Sequence, residues 1–377
     1  MTLVLTPDQQ MLGDAIDAFL RDHYSLEQRM KSRDSTAGWR PEIWRSFAND
    51  LGILGVGLPE ELGGTGGDGM DQFAVARSLG RALVIEPYVE TVILAGGLLA
   101  RSEAAHARDL VARIVSGDAV IACALDDPGQ AKLGLRQAVI TANGGAYMLR
   151  GSKAVVVGAQ WADVFLVSAR LDDADGETVV AAIPADAEGI RRQDYRTLDG
   201  RRASELMFEG LSVGESAILY RGEAAELAVE QAIDRAIAAI CAEAVGIMER
   251  LVSETIDYLK QRRQFGVALA TFQALQHRVA DMHCAVEMAT AIAMRASSSL
   301  DATRNSRKAI VSAAKAQVAK ACRQVGQSAV QLHGGMGMTD ELSIGHLFKR
   351  TTVIERQFGD ASDHLIRFAN IEDHELI

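Results

Sequence analysis

Two textures divide the chain. From Thr6 onward, Met11, Leu12, Ala15, Ile16, Phe19 and Leu20 recur at steps of three and four and share one face, the pattern of an amphipathic helix. Thr6-Pro7-Asp8 supplies its start: a capping hydroxyl, a proline in the first turn and an acid at the positive helix end. A second helix begins near Pro41-Glu42-Ile43-Trp44 and stops at Asp50-Leu51-Gly52, and helical stretches continue through Leu83, Leu94, Leu98 and Leu110 to Gly117-Asp118. The glycines between Gly63 and Gly69 follow no strand and precede no lysine, so they predict a plain loop between helices rather than a phosphate loop.

Between Ala119 and about Val213 the pattern changes to short β-like runs: Val120–Ala124, Ala154–Val157, Val164–Val167 and Val179–Ile183. Turn signals separate them at Asp127-Pro128-Gly129, Asn143-Gly144-Gly145, Asp175-Gly176 and Asp199-Gly200. Short strands with frequent turns predict an antiparallel barrel or sandwich. From Gly222 the helical period returns. Ala224–Leu259 reads as one helix longer than ~50 Å at 1.5 Å per residue. Further helices are expected over about Phe272–Leu300, Ser306–Leu332 and Asp360–Ile371. The expected fold is α+β and multidomain: an all-α N-terminal domain (1–118), a small central β-barrel (119–217) and a C-terminal four-helix bundle (218–377).

The chain has 377 residues, 48% hydrophobic and 24% charged, the profile of a globular protein of two or three domains. A net charge of −11 disfavours nucleic acid and anionic membranes as partners. Any anionic ligand must be held by local basic groups. Cys123, Cys241, Cys284 and Cys322 lack metal-like spacing and read as core residues of a reducing compartment. With no basic leader and no membrane-length apolar run, the expected location is the cytoplasm.

Candidate chemistry concentrates in the last third. Gln261-Arg262-Arg263-Gln264-Phe265-Gly266, Thr271-Phe272-Gln273 and Gln331-Leu332-His333-Gly334-Gly335-Met336-Gly337 flank two long helical patterns. A guanidinium fork matches phosphate oxygens, and Gly-Gly lets backbone N–H groups approach closely, so a pyrophosphate suits them. These motifs, in this order of domains, resemble the acyl-CoA dehydrogenase family of flavoproteins over essentially the full chain. Arg81–Tyr88 and Phe358–Ala361 resemble its branch of small subunits acting on dicarboxylic thioesters such as pimeloyl-CoA. The resemblance implies FAD as cofactor. It also implies that the bundle lends groups to the adenine-dinucleotide part of the neighbouring subunit's FAD. By position the lenders are Arg262, Gln264, Phe265, Gln273, Gln331, Gly334 and Gly335, with Ser362 and His364 added to the cofactor-binding set.

The flavin end departs from the family pattern. A Thr-Glu-Pro strand-turn followed by Gly and Ser-Asp is replaced by Ala124-Leu125-Asp126-Asp127-Pro128-Gly129-Gln130-Ala131, and Lys followed by Trp-Ile-Thr by Lys153-Ala154-Val155-Val156-Val157. The family reaction needs a base for the α proton of an acyl thioester, seven residues before an arginine. Counting back from Arg367 reaches Asp360, which reads equally as the N-cap of the last helix. Some members carry the base on the first bundle helix, where this chain has Ala236. Glu243, two turns on, is a second candidate base, or the partner of an arginine across the bundle. His277, His283 and His333 have no metal-ligand spacing and read as packing or capping residues, and the arginines between Arg191 and Arg202 as solvated.

The resemblance implies an FAD-dependent dehydrogenase, or its small subunit, for medium-chain acyl-CoA, dicarboxylic thioesters included, with electron-transfer flavoprotein or a similar acceptor as partner. It implies a homotetramer, or a heterotetramer with a sister subunit. The alternatives are a non-catalytic subunit completing the sister's FAD site, and a nitroalkane-oxidase-like flavoenzyme.

Overall fold

The computed structural model describes residues 4–127, 138–143, 146–172 and 176–371. The front of the chain is helical: α1 (Pro7–His23), α2 (Leu26–Asp34), α3 (Pro41–Asn49), α4 (Gly69–Arg81), a π-helical segment Val89–Ala95 leading into α5 (Gly96–Leu99), and α6 (Ala105–Val115). Among the described residues eight strands follow: β1 (Ile121–Ala124), β2 (Val139–Asn143), β3 (Ala146–Val157), β4 (Val164–Leu171), β5 (Thr178–Pro184), β6 (Ile190–Arg196), β7 (Arg202–Gly214) and β8 (Ile218–Arg221). Then come α7 (Gly222–Gln261), the two-residue strands β9 (Arg263–Gln264) and β10 (Val267–Ala268), α8 (Gln273–Ser297), α9 (Arg304–His333), α10 (Ser343–Arg356) and α11 (Ala361–Ala369). The helical, β and helical order matches the expected fold class. The helices α2 and α10 and the charged strand β6 are additions to the sequence reading.

The described chain forms two compact units: residues 32–68 with 85–236, and residues 1–31 with 69–84 and 237–377. In the first, the strands run in the order β6-β7-β3-β2-β4-β5-β8, with β1 beside β4. The sheet is mixed, not purely antiparallel as the turn signals predict: β1 and β2 both pair with β4 in parallel. Turn spacing reports where strands end but not which strands become neighbours. Ala122, Ile140, Leu149, Phe165, Val167, Val179, Ile183, Leu206 and Phe208 form the buried face. The turn expectations at Pro128-Gly129, Gly144-Gly145 and Asp175 lie outside the described residues.

In the second unit α9 packs against α8, α10 and α11, through buried small residues such as Ala309, Ala314, Ala319, Ala321 and Ala329. The helices α4 and α7 cross closely at two glycines. A methyl group at Gly246 would overlap the Arg77 carbonyl, and one at Gly80 the Glu243 carbonyl. Beside the crossing, Glu249 binds both Arg77 and Arg81, and Arg81 also pairs with Asp17 of α1.

Candidate functional site

Helix α7 ends beside a tight hairpin. β9 and β10 pair Gln264 with Val267, leaving Phe265 and Gly266 as the turn. Both have positive φ, 53° and 82°, the pattern of a two-residue type I′ turn. Glycine adopts this freely, whereas phenylalanine is strained there, and the turn holds the Phe265 ring 89% exposed. Phe272 meets it edge to face at 6.2 Å.

The ends of α7 and α9, the hairpin and the start of α8 enclose an open groove of about 750 Å³. Arg262, Gln264, Gln331, Gly334 and Gly335 line it, so five of the seven sequence-derived lenders share one wall. Phe265 stands at the hairpin tip, and Gln273, the first residue of α8, is exposed; neither lines the groove. Tyr258, Arg278 and Thr339 join the lining without having been singled out as ligands, and His333, read in the sequence as a packing or capping residue with contact to the cofactor as the lesser alternative, lines it as well. The signal for Arg278 was present: it lies one turn beyond Leu275 on α8, facing the same groove.

Gly334 ends α9 at φ 59° and ψ −139°, a conformation that essentially requires glycine. Its N–H donates to the Gln331 carbonyl. A Cβ at Gly334 or Gly335 would meet nothing within 4 Å, so the backbone here lies open to a ligand. The His333 ring stacks on Tyr258 at 4.3 Å and its Nδ1–H donates to the Ala329 carbonyl at 2.8 Å. Burial lowers its pKa and keeps it neutral. The Arg262 guanidinium has no hydrogen bond or ion pair among the described residues. Two arginines, amide side chains and bare backbone N–H groups suit the pyrophosphate and adenosine of FAD.

A second cluster follows α10. Asp360 N-caps α11: its Oδ1 accepts from the Ser362 N–H (2.8 Å) and the Asp363 N–H (3.1 Å), and the Asp363 carboxylate accepts from the Asp360 N–H. The Asp363 and Ser362 N–H groups hold the Asp360 pKa below the usual carboxylate value. Oδ2 accepts no hydrogen bond among the described residues; Arg356 Nη1 lies 3.9 Å from it. The capping and base readings of Asp360 therefore use different oxygens. His364 is buried, and its Nε2–H donates to the Phe358 carbonyl at 2.9 Å. Ser362 is exposed and its N–H serves the cap.

Of the two readings open for Glu243, the structure takes the ion pair. Both carboxylate oxygens meet Arg350, each at 2.7 Å, with both side chains buried. It faces a guanidinium rather than a cavity, and the base role is withdrawn. His277 and His283 are also corrected: both are exposed on α8 instead of packed. Cys284 is exposed as well, unlike a core cysteine. Among the described residues no cluster has a metal-ligand composition.

At the flavin end, the segment entering residue 128 is stitched to β3. Ala154 N–H donates to the Asp126 carbonyl, and the fully buried Lys153 pairs with Asp127 at 2.6 Å and donates to the Leu125 carbonyl. Val155 sits at a register shift with φ 51° and is 53% exposed. It offers neither aromatic wall nor hydroxyl. Residues Pro128-Gly129-Gln130-Ala131 lie outside the described residues. Arginines of β6 and of the connection to β7 are engaged inside their own unit: Arg191 with Glu209, Arg192 with Asp194, and buried Arg201 with Glu90.

Fold and groove together define a flavin-dependent oxidoreductase built as helices, a β domain and a helical bundle. Three family models match in chain order: the acyl-CoA dehydrogenase N-terminal domain over residues 6–118, the middle domain over 128–211 and the C-terminal domain over 225–361. The chain belongs to the acyl-CoA dehydrogenase family, FAD-dependent enzymes that oxidise acyl-CoA thioesters at a CH–CH bond. It is 29% identical to acyl-CoA dehydrogenase FadE27 of Mycobacterium tuberculosis, with 97% of each chain covered. It is 25% identical to the probable acyl-CoA dehydrogenase YngJ of Bacillus subtilis, covering 94% of this chain and 95% of that one. Among solved structures, a chain of the ChsE4–ChsE5 complex from Mycobacterium tuberculosis superposes with a TM-score of 0.89 at 26% identity, with 98% of each chain covered. No helix among the described residues is long and apolar enough to cross a membrane.

Proposed function

We propose that this chain desaturates a medium-chain acyl-CoA thioester, dicarboxylic thioesters included, between Cα and Cβ, with Asp360 as the base. The supporting observation is the division of labour at that carboxylate: Oδ1 is committed to the helix cap while Oδ2 accepts no hydrogen bond among the described residues. Oδ2 takes the α proton. FAD, when bound, supplies the hydride acceptor. Arg262, with Arg278 beside it, neutralises the pyrophosphate, and the Gly334-Gly335 backbone accommodates it without steric bulk. These groups serve the FAD of a neighbouring subunit in a tetramer, and electrons pass on to an electron-transfer flavoprotein or a similar acceptor. Asp360→Asn tests the assignment: removal of the α proton is expected to fall by about a hundredfold or more. Unchanged turnover overturns it.

A second reading has its own support. The lending groups are intact while the flavin end has lost its aromatic and hydroxyl groups to Val155 and Val157. In that reading the chain completes the FAD site of a sister subunit in a heterotetramer. The ChsE4–ChsE5 relative is itself a complex of two kinds of chain. Counting flavins per chain, in the isolated protein and after co-expression with a sister dehydrogenase, separates the two. One FAD per chain with turnover in isolation removes the partner-only reading.

A further inference from the structure

On α9, Val311, Lys315, Val318 and Cys322 recur at steps of four, three and four, and all four are buried. One position of this apolar stripe is therefore a lysine, with an exposure of 0%. Burial disfavours its charged form, so the ammonium needs strong acceptors. Among the described residues it makes no ion pair with a carboxylate. It donates instead to two backbone carbonyls far along the chain, Gly359 at 2.7 Å and Glu355 at 3.1 Å.

Both carbonyls belong to the turn that leads into Asp360. The Glu355 carbonyl lies in the last turn of α10, where carbonyls lack helical partners and the dipole is negative. Phe358 and Gly359 follow with φ of 59° and 97°. Two successive left-handed residues, one of them a phenylalanine, persist only where the surroundings over-determine them. The surroundings do so here. His364 Nε2–H holds the Phe358 carbonyl, Lys315 holds the Gly359 carbonyl, and Arg323 of α9 binds the Glu355 carboxylate. Asp360 is the next residue.

We propose that Lys315 is a positioning residue for α-proton removal: by holding the Glu355 and Gly359 carbonyls it fixes the strained turn that presents Asp360 Oδ2. This rests on the reading of Asp360 as the base. Lys315 touches no reacting atom in this role; it acts through the backbone. It stands on the same helix as Gln331, roughly 24 Å away along the axis, so its loss leaves the dinucleotide groove in place.

The test uses the full chain in whichever form carries flavin, alone or with a co-expressed sister subunit. Lys315→Met removes the donors, Lys315→Gln keeps two amide N–H groups, and Lys320→Met removes an exposed lysine from the same helix. The first readout needs no substrate: amide hydrogen exchange of the 357–363 segment is expected to quicken roughly tenfold in Lys315→Met, less in Lys315→Gln, and not at all in Lys320→Met. The second is exchange of the α hydrogens of octanoyl-CoA in D2O, or of whichever thioester the wild type turns over best. It is expected to slow about a hundredfold in Lys315→Met with KM and FAD content unchanged. If Lys315→Met does not accumulate folded, Lys315→Gln carries both comparisons. A turn whose exchange is unaltered, or proton removal slowed no more than in Lys320→Met, overturns the proposal even when Asp360→Asn is inactive. An Asp360→Asn enzyme that keeps full α-hydrogen exchange overturns the base assignment instead, and removes the catalytic part of this proposal whatever the turn does.

Discussion

Asp360 caps α11 with Oδ1, and the proposed base role falls to Oδ2. Its pKa is lowered first by the Asp363 N–H and further by that of Ser362, so the ionised form is favoured in the folded state. The cap's contribution is complete above the unfolded value near 4 and is lost as pH falls through the lower folded value. The same shift keeps the proposed base ionised: kcat/KM of the free enzyme is expected to show no acid limb from this residue above pH ~4, as steady-state profiles would register. His364 acts in the opposite sense. Burial pushes its pKa down to about 4, with Lys315 and Arg367 adding to the effect. Between pH 4 and the unfolded value near 6.5 the unfolded chain binds more protons, so stability is complete above about 6.5 and declines as pH falls toward 4. The loss is on the order of 3 kcal/mol. Denaturant midpoints are expected to drop across that window in the wild type and to change much less in His364→Gln.

At the scale of elements, the α4–α7 crossing depends on the absence of side chains. Gly246→Ala forces a methyl group into the Arg77 carbonyl, and neither backbone can yield without disturbing the ion pairs of Glu249 with Arg77 and Arg81. A loss of about 1–3 kcal/mol is expected, read as a lower urea midpoint with an unchanged slope. The hairpin after α7 follows a related rule. Gly266 accepts its left-handed backbone freely, while Phe265 is held there against its preference. Strain at an exposed aromatic tip fits a residue shaped for contact with another molecule.

For the whole molecule, the net charge of −11 opposes any anionic cofactor, and the groove answers it locally with Arg262 and Arg278. Arg262→Ala is expected to weaken FAD binding by about 2 kcal/mol, roughly thirtyfold in Kd. Equilibrium dialysis and the ratio of flavin to protein absorbance measure this, and the difference between wild type and variant should narrow as salt screens the arginine. On the proposed reading, in which the groove of one chain serves the FAD of another, the variant is also expected to shift the tetramer toward smaller species as flavin is lost.

Local chemistry made much of this readable in advance. Helical periodicity placed α1, α3, α7, α8 and α9, because one buried face imposes a three-and-four spacing on any helix that packs. The gathering of Arg262, Gln331 and the glycine turn at one groove was legible because each carries its chemistry in residue type. Other features depended on neighbours that sequence does not name. The parallel pairing of β1 and β2 with β4 is a choice among strands that look alike. Glu243 is an ion-pair member rather than a base because folding sets Arg350 opposite it. Lys315 sits among alanines and resembles a solvated lysine until tertiary packing brings the Glu355 and Gly359 carbonyls, forty residues further on, within reach of its ammonium. Residue type and spacing determine which groups seek a partner; only the folded chain, by joining distant segments in a medium of low dielectric, decides which partner they find.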